Sequence, residues 1–262
     1  MVATDLGWIN PNLVFTESDG CKYREEGYGF LGQVLTKVGL KRVRSELSRI
    51  LCNLHPTVMA DQIFSVHQSE SWLMTLVSQP RLLDVVEEVI GPDIVVWATN
   101  FICKPPKTGR PIPWHQDLSY WSISGSLASI WIALDNVDDE NGTMYVLPGY
   151  QKKGTLPQRA ISTEFFTDEL VPNELPNDVG QREIGYFLKA GEAAIHHELI
   201  PHRSPANRSP RRWRRVLVIR YMSAEGQMPP LQYRNYKTGE MFDRRFFLLR
   251  GKDVGQHGLV RV

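Results

Sequence analysis

The sequence is poor in cysteine: its 262 residues include three, Cys21, Cys52 and Cys103, none close to another. So sparse and odd a set argues against a disulfide framework and a cysteine zinc site, and it predicts a reducing compartment. Net charge is also scarce, since 30 Lys+Arg against 29 Asp+Glu leave +1. That balance supplies no global field for nucleic acid or an anionic membrane, so neither is expected as a partner. No apolar run approaches the roughly 18 residues that span a bilayer. The N-terminal segment lacks the basic-then-apolar pattern of a secretory leader. Together these absences predict a cytoplasmic protein; they say nothing of oligomeric state. No internal repeat, low-complexity tract or interdomain linker is visible, and residues 1–262 read as a single domain.

What the sequence does contain is a helical part followed by a strand-rich part. Leu40, Val43, Leu47, Ile50, Leu51 and Leu54 recur at three-to-four spacing and predict a helix over 38–54. A second helix is predicted over 79–90, with Ser78 as N-cap, Pro80 in its first turn and Gly91-Pro92 as its stop. After Gly91 short β-branched or aromatic runs alternate with turn residues, as in 94–97, 129–134, 144–147, 193–197 and 216–221. This texture predicts a mainly β fold with flanking helices, a sandwich or barrel. The expected layout is N-terminal helices at about 38–90, a β core at about 94–222 and a C-terminal extension at 223–262. Residues 151–185 are polar and acidic and interrupt the pattern. Long connections of this kind often border active sites, and this one is expected at a pocket mouth and more mobile than the core.

The segment Pro113-Trp114-His115-Gln116-Asp117 carries the strongest chemical signal. If it is extended, His115 and Asp117 point to the same face and can grip one metal. His202, after the run Ile195 to Pro201, is the best third ligand. Two histidines and one carboxylate with open positions form the facial arrangement of non-heme Fe(II) oxygenases. Charge supports this, because Asp117 and a chelating 2-oxo acid together neutralise a divalent ion in a dry pocket. A lone His-x-Asp pair is a weak signal, and its neighbours strengthen it.

Those neighbours are Lys104-Pro105-Pro106, Pro113 through Trp121, Ser129 through Asp135, Glu140 through Met144, and Leu147-Pro148-Gly149. A last block holds His196-His197, His202-Arg203-Ser204, Asn207-Arg208-Ser209 and Arg214-Arg215, before a strand ending Arg220-Tyr221. In this order they resemble the phytanoyl-CoA dioxygenase family over roughly residues 94–222. The resemblance implies a double-stranded β-helix, a cupin-like jelly roll with helices packed outside. It implies Fe(II), 2-oxoglutarate as cosubstrate, and dioxygen. It makes His115, Asp117 and His202 the metal ligands and catalytic centre. Arg214 would pair with the far carboxylate of 2-oxoglutarate and Ser204 would lie beside it. Trp131 would line the cosubstrate pocket and Asn100 would touch the cosubstrate. The implied reaction is hydroxylation of a small molecule's C–H bond with release of succinate and carbon dioxide.

Strand alternation leaves the arginine open, because Arg214 and Arg215 lie on opposite faces and either face could be inward. The stretch from His202 to the arginine pair is one residue longer than the family pattern, which makes Arg212 a rival to Arg214. Arg203 stands where the family usually has glycine. Arg215 is expected to point outward and be dispensable. At most one of His196 and His197 faces inward, in a supporting role, and Gln116 is expected to be structural. Trp114, Tyr120 and Trp121 are read as core packing or as lining the substrate side. Three other classes share parts of this pattern. A cupin-type metalloenzyme without 2-oxoglutarate would not need Arg214. A non-catalytic ligand-binding jelly roll would not need the triad, and a related halogenase would lack Asp117.

Overall fold

In the computed structural model, residues 6–120, 123–162 and 167–262 are described. The apolar runs become strands buried on both faces, which removes polar–apolar alternation from a strand. The larger sheet has the order β1 (Tyr28–Gln33), β9 (Glu192–His197), β4 (Leu127–Ala133), β11 (Arg214–Ser223), β2 (Ile94–Lys104), β14 (Phe247–Arg250), β15 (Val260–Arg261). Its neighbours are antiparallel except for β14 and β15. One face packs against the helices α1 (Glu17–Glu26), α2 (Lys37–Cys52), α3 (Ser71–Val77) and α4 (Pro80–Ile90). Val43 and Leu47 of α2 and Leu82 and Val86 of α4 share a core there with Ile130, Ile132, Leu217 and Ile219.

The other face meets a smaller sheet of order β3 (Ile112–His115), β10 (His202–Ser204), β5 (Tyr145–Val146), β8 (Ile184–Gly185). Trp131, Val216 and Val218 from the larger sheet pack with Val146, Met144 and Ile200 from the smaller one and its flanks. Two facing sheets wrapped by helices on one side make the expected double-stranded β-helix. Two hairpins complete the strand set: β6 (Gln158–Ala160) with β7 (Asp168–Leu170), and β12 (Gln232–Arg234) with β13 (Met241–Asp243).

Three expectations need correction. Ser78 does not cap α4; it follows α3, its Oγ donating to Met74 O at 2.8 Å, and Gln79 takes the N-cap position. At seven residues, α3 offers too few repeats to show a helical period. The β core is also wider than 94–222, because β1 joins the larger sheet through β9 and β14 joins it through β2. Within the expected C-terminal extension, Phe247–Arg250 and Val260–Arg261 are therefore strands of the sheet and not an appendage. The reason is local: β1, at the sheet edge, has only one buried residue, so it carries no apolar run. No helix among the described residues is long and apolar enough to cross a membrane.

Candidate metal centre

Antiparallel pairing of β3 and β10 sets His115 directly opposite His202, with ring centroids 4.0 Å apart. Asp117 reaches the same point by a different route from the one expected. The strand ends at His115 and the chain enters a tight helical turn, Asp117–Tyr120, so the turn and not strand alternation aims the carboxylate. The Nε2 atom of each histidine lies 3.9 Å from Asp117 Oδ1. Ligand atoms of all three buried residues lie within 4.8 Å of one another, a grouping that could hold one ion.

The histidine tautomers follow from their second nitrogens. His115 Nδ1 lies 2.9 Å from Pro113 O, and His202 Nδ1 lies 3.0 Å from Ile200 O. A carbonyl only accepts, so each Nδ1 holds the hydrogen and each Nε2 offers a lone pair to the shared point. Burial pushes His115 down to about 3 and His202 down to about 4, which keeps both rings neutral at pH 7.

Arg220 carries no assignment from the sequence, which also leaves open which of His196 and His197 faces inward. Arg220 Nε donates to Asp117 Oδ2 at 2.9 Å and its Nη2 donates to Oδ1 at 3.1 Å, both residues being buried. Burial alone would raise the Asp117 pKa; the Arg220 guanidinium, together with the adjacent His202 and His115, outweighs it and holds the carboxyl well below the usual carboxylate range. Arg220 shares a strand face with Arg214, so alternation from Arg214 points to it. His196 is the inward member of its pair, with its ring 5.4 Å from that of His202 and its buried Nδ1 without a hydrogen-bond partner. His197 faces Tyr23 instead, and its Nδ1 accepts from Leu199 N at 3.1 Å.

A cavity of about 600 Å³ opens from the three residues, within the range of small-molecule sites. Arg214, Ser204, Trp131 and Asn100 all line it. On β11, Val218 sits opposite Trp131 of β4 and opposite Asn100 of β2. Directly paired residues share a sheet face, so three adjacent strands aim these side chains inward. Arg214 is 1% exposed, its Nε and Nη2 have no partner, and its guanidinium carbon stands 5.8 Å from the Trp131 ring. Burial pulls its pKa to about 10, which still leaves a cation at pH 7. A buried guanidinium with unmet donors is a receptor for an anion. Ser204 Oγ accepts from Lys104 Nζ at 2.7 Å, which leaves the hydroxyl hydrogen for another acceptor.

The rival arginines are occupied elsewhere. Arg212 Nη1 and Nη2 each reach Asp138 at 2.8 Å, and Arg212 also bonds Glu140. Arg215 faces away from the cavity as expected, but it is not a free solvated arm. It donates to Asp135 through Nε at 2.8 Å and Nη2 at 2.7 Å, with its side chain 23% exposed. Arg203 lines the cavity; Glu183 takes its charge at 2.8 and 2.5 Å, and its guanidinium lies 5.5 Å from the Trp114 ring. Gln116 is structural: it donates to Gly154 O and Leu199 O and accepts from Leu156 N, tying the start of the 151–185 insertion to β3. Thr167 of that insertion lines the cavity, which places the insertion at its edge. Trp121 and the side chain of Tyr120 lie outside the described residues.

The neutral histidines give the metal-free protein a pH signature. Burial lowers His67 and His115 to about 3 and His196, His197 and His202 to about 4. Between those values and the unfolded value of about 6.5, the unfolded chain binds more protons. Stability from these groups is therefore full above about pH 6.5 and declines as pH falls toward 4. Glu198, pushed up by burial to about 8, gives one opposing slope above its unfolded value. Five groups against one predict that the urea midpoint of the metal-free chain drops from pH 6.5 to 4; a flat midpoint would contradict the neutral assignment.

A model of the family phytanoyl-CoA dioxygenase (PhyH) matches residues 23–216. The L-proline trans-4-hydroxylase of Streptomyces griseoviridis is 26% identical over 225 residues, covering 76% of this chain and 84% of that protein. The peroxisomal phytanoyl-CoA dioxygenase of Bos taurus is 26% identical over 211 residues, covering 71% of this chain and 63% of that protein. Among solved structures, the apo form of the non-heme monooxygenase ThoJ aligns with a TM-score of 0.72 at 25% identity, covering 92% of this chain and 86% of that one.

Proposed function

The chain belongs to the phytanoyl-CoA dioxygenase family, and on that footing we propose that it hydroxylates a C–H bond of a small molecule at the His115, Asp117 and His202 centre. It is a 2-oxoglutarate-dependent non-heme iron dioxygenase. The observation that carries the finer reading is the presence, in one cavity, of the buried triad and of the buried, unpaired Arg214. The triad suits a divalent iron and Arg214 suits the far carboxylate of a dicarboxylate cosubstrate, so the residues fit both groups.

In this reading His115 and His202 present neutral Nε2 lone pairs, fixed in tautomer by Pro113 O and Ile200 O. Asp117 supplies the anionic ligand atom and Arg220 fixes its plane. Arg214 and the Ser204 hydroxyl hold the cosubstrate's far end, Trp131 covers the Arg214 face, and Asn100 lines the cavity beside them. Iron bound with 2-oxoglutarate and dioxygen supplies the oxidising power that side chains lack. Val218, Met144, Ile102 and Ile112 give the site apolar walls that exclude water.

The test is succinate release from 2-oxoglutarate with Fe(II) and dioxygen, run with a panel of small molecules. Succinate should fall to the blank when Fe(II) is withheld and should rise in step with a hydroxylated product when the right molecule is present. Fe(II)-independent turnover, or no succinate under any condition, would overturn the reading.

A further inference from the structure

Among the described residues, the cavity is lined by five arginines, Arg203, Arg214, Arg220, Arg234 and Arg244, and by one carboxylate, Asp117. Four of the five are accounted for. Arg203 is paired with Glu183 and Arg220 with Asp117. Arg214 is taken by the cosubstrate in the reading above, on which this inference rests. Arg234 is exposed at the rim, within 3.5 Å of Thr57 Oγ1. Arg244 remains.

Arg244 is held in place without being neutralised. Its Nη2 donates to Trp97 O, and its guanidinium carbon lies 4.7 Å from the Trp97 ring and 5.9 Å from the Phe246 ring. Trp97 and Phe246 are stacked on each other, 5.6 Å apart. Its Nε is buried and has no hydrogen-bond partner, and no acid among the described residues pairs with it. A cation held over aromatic faces in a cavity wall, with no acid to pair with it, is a preorganised anion receptor. Leu231, Tyr233 and Met241 of the same C-terminal segment line the cavity with Arg244, and Phe64 adds further apolar surface. Leu231, Tyr233 and Met241 lie beyond residue 216, where the match to the family model ends.

We propose that the substrate is a carboxylic acid with an apolar body, its carboxylate received by Arg244 and its body lying against Trp97, Phe64, Leu231, Tyr233 and Met241. A single guanidinium without an acid partner suits a monoanion; a phosphate ester would call for more cations than that one. The burial that strengthens the interaction also lowers the Arg244 pKa to about 10, and an anion opposite it offsets that cost.

The test is affinity selection by mass spectrometry on the full chain loaded with Mn(II) and 2-oxoglutarate, so that the Arg214 site is filled. The probes are octanoic, hydrocinnamic and cyclohexylacetic acids, their primary carboxamides, their phosphate-ester counterparts and the corresponding amines. Acids should be retained over carboxamides by about 10- to 100-fold, the range for a charge-assisted hydrogen bond in a buried site. Arg244→Gln should erase that preference and Arg244→Lys should keep part of it, with 2-oxoglutarate still bound by both. Equal retention of acids and amides, a preference for amines or phosphate esters, retention of no probe, or a preference that survives Arg244→Gln would each overturn the proposal. Failure of the wild-type chain to bind 2-oxoglutarate would count against the oxygenase reading instead, and the acid-to-amide ratio would still report on Arg244.

Discussion

Arg214→Ala should raise the 2-oxoglutarate concentration needed for half-maximal turnover by more than about a hundredfold while metal binding persists. The near end of the cosubstrate is neutralised by the metal, and its far carboxylate enters a cavity wall where Arg214 is 1% exposed. Removing the guanidinium that faces it leaves a buried carboxylate without a partner, a loss of roughly 3–5 kcal/mol. The same change should not lower the stability of the cosubstrate-free protein through charge, because Arg214 is itself an unpaired buried cation in that state. A titration of 2-oxoglutarate followed by succinate, beside a urea melt without it, separates the two effects.

Arg215→Ala should behave in the opposite sense. Its guanidinium grips Asp135 with two bonds and its backbone N–H adds a third at 3.0 Å. In the alanine variant Asp135 keeps the backbone N–H of residue 215 at 3.0 Å and a longer contact of 3.4 Å to Arg44, and loses both guanidinium bonds. Stability should fall by about 1–3 kcal/mol, with the 2-oxoglutarate requirement unchanged. The two variants exchanging phenotypes would mean that β11 presents its other face to the cavity.

Much of this was legible in the sequence, and the misses share a cause. The strands of the larger sheet announced themselves as apolar runs because helices cover one face and the cavity core covers the other. His115 was legible because Pro113 and Trp114 hold an extended approach to it. Asp117 was located for the wrong reason: its aim is set by the turn after β3, and turn geometry leaves a weaker trace than alternation. The choice among Arg212, Arg214 and Arg215 was open from spacing alone. It becomes concrete only when Asp138, Glu140 and Asp135, all distant in sequence from β11, are seen to occupy the other two. Arg220 lacked an assignment because a buried ion pair spanning 103 residues has no local signature. Arg244 was hidden for the same reason, since its role depends on a C-terminal segment folding back over Trp97.

Asp117 is expected to be the residue whose loss does the most damage, because it serves two cations. It is the only carboxylate of the triad, and it is the counterion of the buried Arg220. Asp117→Ala should take turnover to the assay background. It should also destabilise the metal-free fold by roughly 3–5 kcal/mol, because the buried Arg220 loses its carboxylate counterion. Those effects can be separated by replacing both members of the pair. The double variant Asp117→Ala/Arg220→Met removes the stranded charge along with the ligand, and should regain most of the lost stability but none of the activity. Equilibrium dialysis of Mn(II) against the wild-type chain and this folded double variant is the most direct test of the metal assignment. The wild-type chain should take up one ion and the double variant none at the same concentration; uptake by the double variant with wild-type affinity would contradict the assignment of Asp117 with His115 and His202.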